Sequence, residues 1–260
     1  MTAVRHAIRQ LNDTVIGIIN VRRTKEYDGS GDLLSILMAA RDEDGSAMNA
    51  AELRDQVLTF LLAGHETTAL ALSWTWYLLS QNPEAEQKLH HELDSVLGAR
   101  IPAVQDLPAL VYTDHVLKES MRLYPPAWSL AREVANEFEV EGYRIPARAN
   151  VVMSQWLLHH DARYFNNPDK FDPDRWQTDA CQRLPRFAYF PFGGGQRQCI
   201  GAGFATMEAT LLLATIAARF KLHAIAEHPV IPVPSFTLRP KDGILVALQR
   251  RAQAVSVRSA

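Results

Sequence analysis

A cysteine in a glycine-rich loop is the residue of this chain best suited to bind a metal or to act as a nucleophile. Cys199 lies in the run FGGGQRQCIG, from Phe192 to Gly201, ahead of an apolar helix predicted over 204–220. Glycines let a backbone approach a bulky planar ligand, and amides at a helix start stabilise a thiolate. Arg197 could pair with a carboxylate of that ligand. The alternative is a glycine turn around a buried structural cysteine, whereas a nucleotide-binding loop is disfavoured by the glycine spacing.

A polar segment also interrupts the longest apolar stretch, residues 57–79. It reads AGHETT, and its Gly64 would cost about 1 kcal/mol inside a helix. The carboxyl of Glu66 and the hydroxyl of Thr67 could carry protons into a buried site. The alternative is a helix kink in which Thr67 bonds to its own turn. Zinc binding is disfavoured, because the H-E-x-x-H pattern is incomplete here.

Two further segments carry charge at informative spacing. Glu119 and Arg122 are three residues apart and so share one face of a helix predicted over 113–124. Taken alone, such a pair is typical of an exposed ion pair worth tenths of a kcal/mol. The run FDPDRW, which contains Arg175, is in isolation an aromatic turn.

The elements that must position these segments are mainly α-helical with a minor β part. Helical spacing of apolar residues predicts helices, and short alternating runs between glycine or proline turns predict strands. Asp32 and Asn49 are predicted N-caps, Pro83 a helix start and Gly98 a helix end. The predicted helices are 1–25, 33–40, about 50–81, 83–97, 113–124 and 204–220. The predicted strands are 132–140, 143–145, 150–155, 235–238 and 243–248, and residues 166–192 are predicted to be irregular.

Composition excludes several classes of protein. The chain has 260 residues, of which 47% are hydrophobic and 22% charged, and its net charge of −2 gives no indication of nucleic-acid binding. Two cysteines cannot form a disulfide framework. The first ten residues lack the apolar core of a signal peptide, and Glu66 makes 57–79 a poor transmembrane segment. These features predict a soluble, cytoplasmic protein without a membrane span.

Taken together, the four segments resemble those of the cytochrome P450 family. The family's haem-binding pattern, F-x-x-G-x-R-x-C-x-G, is met by Phe192, Gly195, Arg197, Cys199 and Gly201. Its oxygen-activating pattern, [AG]-G-x-[DE]-T-[TS], is met by Ala63, Gly64, Glu66, Thr67 and Thr68. Its E-x-x-R pair and its later aromatic-Pro-Arg segment are met by Glu119, Arg122, Phe171, Pro173, Arg175 and Trp176. The order along the chain also agrees.

The resemblance implies a role for each of these residues. Cys199 would be the axial thiolate ligand of the iron of haem b. Arg197 and Arg132 would contact the haem propionates, and Phe192 would pack beside the thiolate. Glu66 and Thr67 would form the catalytic acid–alcohol pair that delivers protons to dioxygen. The buried structural triad would consist of Glu119, Arg122 and Arg175.

Some residues are given bystander roles by the same resemblance. His159 and His160 would be solvated or lie beside the propionates rather than bind iron, and Cys181 would have no role in the site.

Trp128, Ser129 and Leu130 would face the substrate pocket. The run ESMRLYPP is closest to the fatty-acid and sterol-acting branches of the family.

The resemblance covers nearly the whole chain, which matches the C-terminal portion of the cytochrome P450 fold. Only 62 residues precede Ala63, and they contain no W-x-x-x-R, so the long region found before this helix in the family is missing. We therefore expect residues 1–260 to form a single truncated haem-binding domain. Its parts would be a helical region 1–125, a mixed β and irregular region 126–192, the haem-thiolate loop with its helix 193–220, and C-terminal strands 221–250.

The expected function is that of a haem-thiolate monooxygenase. It would insert one oxygen atom from O2 into an apolar small molecule, with electrons from a separate ferredoxin or flavin reductase. The alternatives are a non-catalytic haem-binding remnant, a split-gene half completed by a partner chain, and a helical scaffold protein. The missing region predicts an exposed apolar patch that favours a partner chain. We place this patch at Leu58, Leu61, Leu62, Leu70 and Trp74.

Overall fold

The helices of this chain begin and end at recognisable sequence signals. The computed structural model describes residues 2–24 and 31–251. The main helices are α1 (Thr2–Thr24), α2 (Leu33–Ala39), α3 (Ala50–Gln81), α4 (Pro83–Leu97), α5 (Val111–Leu123) and α8 (Ala202–Ala217). Short helices α6 (Gln155–His159) and α7 (Asp179–Gln182) and 3-10 turns over Val104–Ala109, Pro173–Gln177 and Gly195–Arg197 complete the helical part. Each main helix predicted from the sequence is present.

Two N-terminal caps explain where α2 and α3 start. The Asp32 carboxylate accepts a hydrogen bond from Ser35 N–H at 2.8 Å. Asn49 accepts from two amides of the first turn of α3, and Glu52 accepts from the Asn49 amide at 2.8 Å. This reciprocal arrangement is a capping box, and it satisfies amides that have no partner within the helix. At the other end, Gly98 follows α4 with a φ of 59°.

Within residues 2–24 and 31–251, the strands form four separate two-stranded antiparallel pairs. Strands β1 (Leu130–Glu133) and β4 (Asn150–Met153) pair with each other, as do β2 (Phe138–Val140) and β3 (Tyr143–Ile145). Strands β5 (Phe220–Ala224) and β8 (Val246–Arg250) form the third pair, and β6 (Pro232–Pro234) and β7 (Leu238–Pro240) the fourth. The single strand predicted over 132–140 is therefore wrong, because it divides into β1 and β2.

The chain divides into two compact units, residues 1–66 and 67–260. In the first unit, Val15 and Ile19 of α1 and Leu53 of α3 form a small buried cluster. In the second, the core is built from the C-terminal half of α3 together with α4, α5 and α8. No helix among residues 2–24 and 31–251 is both long and apolar enough to cross a membrane.

The apolar patch predicted on α3 is confirmed at two positions and wrong at a third. Leu61 and Leu62 are 46% and 60% exposed. Leu58 and Leu70 are half-buried. Trp74 is fully buried, because its ring stacks on Tyr124 at 4.3 Å between centroids and its indole N–H donates to the Leu238 carbonyl oxygen at 2.9 Å.

Candidate functional site

A buried carboxylate lies between two arginines in the second unit. Glu119 and Arg122 lie one turn apart on α5 and are both fully buried. The Glu119 carboxylate accepts from Arg122 Nε at 3.0 Å and Nη2 at 2.8 Å, and from Arg175 Nε at 2.9 Å. The Asp172 amide and the Trp176 indole also donate to it. The pair is therefore not the exposed ion pair that its spacing alone suggests.

The two arginines use their remaining donors on backbone carbonyls of the irregular segment. Arg122 donates to the carbonyl oxygens of His159 at 2.8 Å, Pro168 at 2.6 Å and Lys170 at 3.1 Å. Arg175 donates to the Asn166 carbonyl oxygen at 2.9 Å. A segment with few regular ladders needs such partners for its buried carbonyls. The triad consequently fixes the path of the chain from α6 to the turn at Pro173–Gln177.

His159, which the sequence led us to expect in solvent or beside the propionates, is instead fully buried. Its Nε2 accepts a hydrogen bond from the Phe190 amide at 3.0 Å. Burial, aided by the charge of Arg122, lowers its pKa to about 3. The pattern of a short apolar helix followed by two histidines carries no signal for this, because the partner amide lies 31 residues away in sequence.

The cysteine loop is a narrow backbone hairpin. The Cys199 amide donates to the Phe192 carbonyl oxygen at 3.0 Å, and the Gln198 amide donates to the Gly195 carbonyl oxygen at 3.1 Å. Gly195 has a φ of 72°, in the left-handed region that favours glycine. Gly201 directly precedes α8, so the loop brings Cys199 to the N-terminal end of that helix.

The surface around Cys199 is open and apolar. Cys199 itself is exposed, and two neighbouring side chains, Ile200 and Phe204, are 88% and 65% exposed. The donor at this surface is a single cysteine side chain: among the described residues, no group of three or more His, Cys, Asp or Glu side chains could hold a metal ion.

At one position of the loop, a side chain larger than glycine would require a neighbouring ring to shift. A Cβ atom on Gly194 would overlap the ring of Phe187. The backbone of Gly194 is extended, so the requirement here is space and not conformation. The loop is thus backed by an aromatic ring on one side and is open at Cys199. This arrangement, together with the single thiolate, fits a large planar macrocycle with one protein ligand.

The two arginines expected near the propionates are both exposed. Arg197 lies in the 3-10 turn of the loop. Arg132 lies on β1, where its guanidinium donates to the Ala131 carbonyl oxygen at 2.8 Å. Both charges are therefore available to carboxylates of a bound group.

The proposed acid–alcohol pair lies on α3. Glu66 and Thr67 are half-buried and occupy consecutive positions of a helix that continues through Gly64. A Cβ atom at Gly64 would meet no described atom within 4 Å. The glycine therefore borders open space.

An open groove of about 570 Å³ lies beside the cysteine loop and is separate from the surface that exposes Cys199. It is lined by residues that precede and begin α5, by Phe192, and by one side of α8, including Thr206 and Thr210. Cys199 does not line it. The groove consequently does not contain the thiolate.

Comparison with known proteins identifies the family of this arrangement. The family model described as Cytochrome P450 matches residues 2–247. Cyclooctatin synthase of Streptomyces melanosporofaciens is 44% identical over 89% of this chain and 51% of its own length. Pentalenene oxygenase of Streptomyces avermitilis is 39% identical over 90% of this chain and 52% of its own length.

A solved structure gives the same result for the fold. A crystal structure of a cytochrome P450 (CYP102L1) superposes with a TM-score of 0.87 and 29% identity, over 96% of this chain and 58% of that chain. The expectation of a partial fold of this type, mainly α with a minor β part, is confirmed. The chain spans about half the length of the curated relatives it matches.

Proposed function

Because this chain belongs to the cytochrome P450 family, we propose that it binds haem b through the Cys199 thiolate and supplies the haem-bearing part of a monooxygenase. The observation that carries this proposal is the loop itself. It presents one exposed cysteine ahead of a 16-residue helix, next to the exposed apolar side chains of Ile200 and Phe204. When bound, the haem would supply oxygen activation, and a thiolate ligand donates electron density that favours cleavage of the O–O bond.

The chain's own residues would bind and orient that group. Arg197 and Arg132 would each place a guanidinium on a propionate, a charge-assisted hydrogen bond that is stronger than a neutral one. Phe192 would shield the thiolate, and Gly195 and Gly201 would keep the backbone close to the macrocycle. The side chains of Ile200 and Phe204, which are exposed in the chain alone, would be covered by the bound haem.

Proton supply would fall to α3. The Glu66 carboxyl and the Thr67 hydroxyl, which is both donor and acceptor, would pass protons towards dioxygen. The buried triad would act at a distance from this chemistry. By fixing the irregular segment, Glu119, Arg122 and Arg175 would hold the start of the cysteine loop in place.

The substrate proposed is an apolar small molecule. Two relatives with more than 38% identity are named pentalenene oxygenase and cyclooctat-9-en-7-ol 5-monooxygenase. We propose O2, a hydrocarbon-like substrate and electrons from a separate ferredoxin or flavin reductase as the partners. One oxygen atom would enter the substrate and the other would leave as water, with two electrons and two protons consumed.

A second candidate is a haem-binding chain that needs another chain or segment for activity. The exposed Leu61 and Leu62 on α3 favour it, because large apolar side chains next to the proposed proton pair would be solvated in this chain alone. The two candidates share the Cys199 ligand and differ in whether substrate is turned over.

Haem titration of the chain tests both candidates. We expect stoichiometric uptake of haem and, after reduction with CO present, the Soret position of a thiolate-ligated haem. Cys199→Ala should lose that position, and Cys181→Ala is the matched control that should keep it. A thiolate spectrum without turnover supports the second candidate, and absence of haem uptake by the folded chain refutes both.

A further inference from the structure

A side chain outside the family's motif residues connects the buried triad to the cysteine loop. His159 is the last residue of α6 and is fully buried. Its carbonyl oxygen accepts from Arg122 at 2.8 Å, and its Nε2 accepts from the Phe190 amide at 3.0 Å. One residue is thus bonded through its backbone to the triad and through its ring to the segment that enters the loop.

The ring serves as an acceptor because it is neutral. An imidazole that accepts at Nε2 carries its proton on Nδ1, whereas the protonated ring has only donors. Burial and the charge of Arg122 lower the pKa to about 3, so the acceptor persists at neutral pH. The flanking rings of Tyr189 and Phe190, with centroids at 5.1 and 5.6 Å, exclude water from the bond.

From Phe190 the hydrogen bonds continue into the loop. The Phe190 carbonyl oxygen accepts from the Gly193 amide at 2.9 Å. The Phe192 carbonyl oxygen accepts from the Cys199 amide at 3.0 Å. Since this part of the chain belongs to no strand, these isolated bonds and the packing of the rings determine where the loop begins.

We propose that His159 is a positioning residue for Cys199: by holding the Phe190 amide, it fixes the start of the loop relative to the buried triad. This inference rests on the proposed function, because the positioning matters chemically only if Cys199 is the haem ligand. If His159 only fills space, the position of the loop depends on the shape of the side chain and not on an acceptor at Nε2.

Three variants separate an acceptor from mere bulk. His159→Asn removes the acceptor at the reach of Nε2 and leaves the Phe190 amide unpaired. His159→Gln restores an acceptor at nearly the same reach. Gln155→Met is the matched control on α6, since Gln155 is also fully buried and, within the described part of the chain, its amide atoms have no hydrogen-bond partner.

The experiment has two readouts on the whole chain. Amide hydrogen exchange at Phe190, Gly193 and Cys199 is measured without haem, and the reduced CO spectrum is measured after haem loading. We expect His159→Asn to speed exchange at these amides about tenfold, the equivalent of about 1.4 kcal/mol, and to lower the thiolate-ligated fraction. His159→Gln and Gln155→Met should resemble the parent.

Two results would overturn the proposal. One is a His159→Asn chain that melts earlier but keeps parental loop exchange and spectrum, which is the behaviour of a purely structural residue. The other is a His159→Gln chain no closer to the parent than His159→Asn. If the parent shows no thiolate-ligated haem, the proposed function fails, while the exchange data still decide whether His159 positions the loop.

Discussion

Replacing the buried carboxylate of Glu119 by an amide should destabilise the second unit more than any single surface substitution. Glu119→Gln preserves the size of the side chain and removes its charge. Arg122 and Arg175, 0% and 8% exposed, would then share a buried site without a counter-charge. The effect therefore measures charge and hydrogen bonding and not a cavity.

The magnitude follows from the bonds at each oxygen. The carboxylate accepts five hydrogen bonds, three at Oε1 and two at Oε2. A glutamine keeps one acceptor oxygen and sets an NH2 group against donors at the other. Removing one partner of a buried ion pair costs about 3–5 kcal/mol. We expect a loss in this range, against a total of about 5–15 kcal/mol for a typical domain.

Urea unfolding followed by tryptophan fluorescence measures this loss, since Trp176 donates directly to Glu119. Asp174→Asn is the matched control, because Asp174 lies in the same turn and pairs with Lys88 at 2.6 Å on the surface, where both side chains are about half exposed. The control should lose less than about 1 kcal/mol. Equal small losses in both variants would refute the assignment of the triad as the anchor of this segment.

Two further predictions concern a buried histidine and the loop. Burial, and then the charges of Arg251 and Lys221, lower the pKa of His90 from 6.5 to about 4. The unfolded chain therefore binds this proton first, and His90 should lower the free energy of unfolding by up to about 3 kcal/mol as pH drops from 6.5 to 4. His90→Gln should remove this contribution and make the titration shallower, while the contribution of the buried His159 remains. Gly194→Ala should cost up to about 1 kcal/mol, because the half-exposed ring of Phe187 must shift to clear the new Cβ, and Phe187→Ala in the same chain should recover this cost in a double-mutant cycle.

Helix boundaries could be predicted from the sequence because their causes are local. Asp32 and Asn49 cap the helices that follow them, and Gly98 ends α4. Each signal acts within one turn of the chain. The predicted starts and ends therefore agree with the structure within about two residues for most main helices.

The β part was predicted less well because strand pairing depends on distant partners. Strand β5 begins at Phe220, at the end of the predicted helix, and it pairs with β8 over 20 residues later. Gln155 was placed at the end of a strand but starts α6, which Ser154 caps by accepting from the Leu157 amide at 3.2 Å. A three-residue alternation contains too little information to fix such boundaries.

The candidate site shows the same division between local and distant causes. The spacing of Glu119 and Arg122 predicts a shared helix face, but only the structure shows that the face is buried. The exposure of Leu61 and Leu62 was predicted from the region that the family resemblance shows to be missing, whereas Trp74 was misplaced because its partners, Tyr124 and Leu238, come from other elements.

A buried ion pair seldom stabilises a core more than apolar residues of the same volume do. The triad here does something that apolar residues do not do. Its two guanidiniums donate to five backbone carbonyls of a segment that lacks a regular ladder, at His159, Asn166, Asn167, Pro168 and Lys170. Apolar replacements would leave those oxygens unpaired at a cost for each one. The buried charges therefore determine the path of the segment that leads into the cysteine loop. Glu119→Gln tests this role in addition to the contribution of Glu119 to the free energy of unfolding.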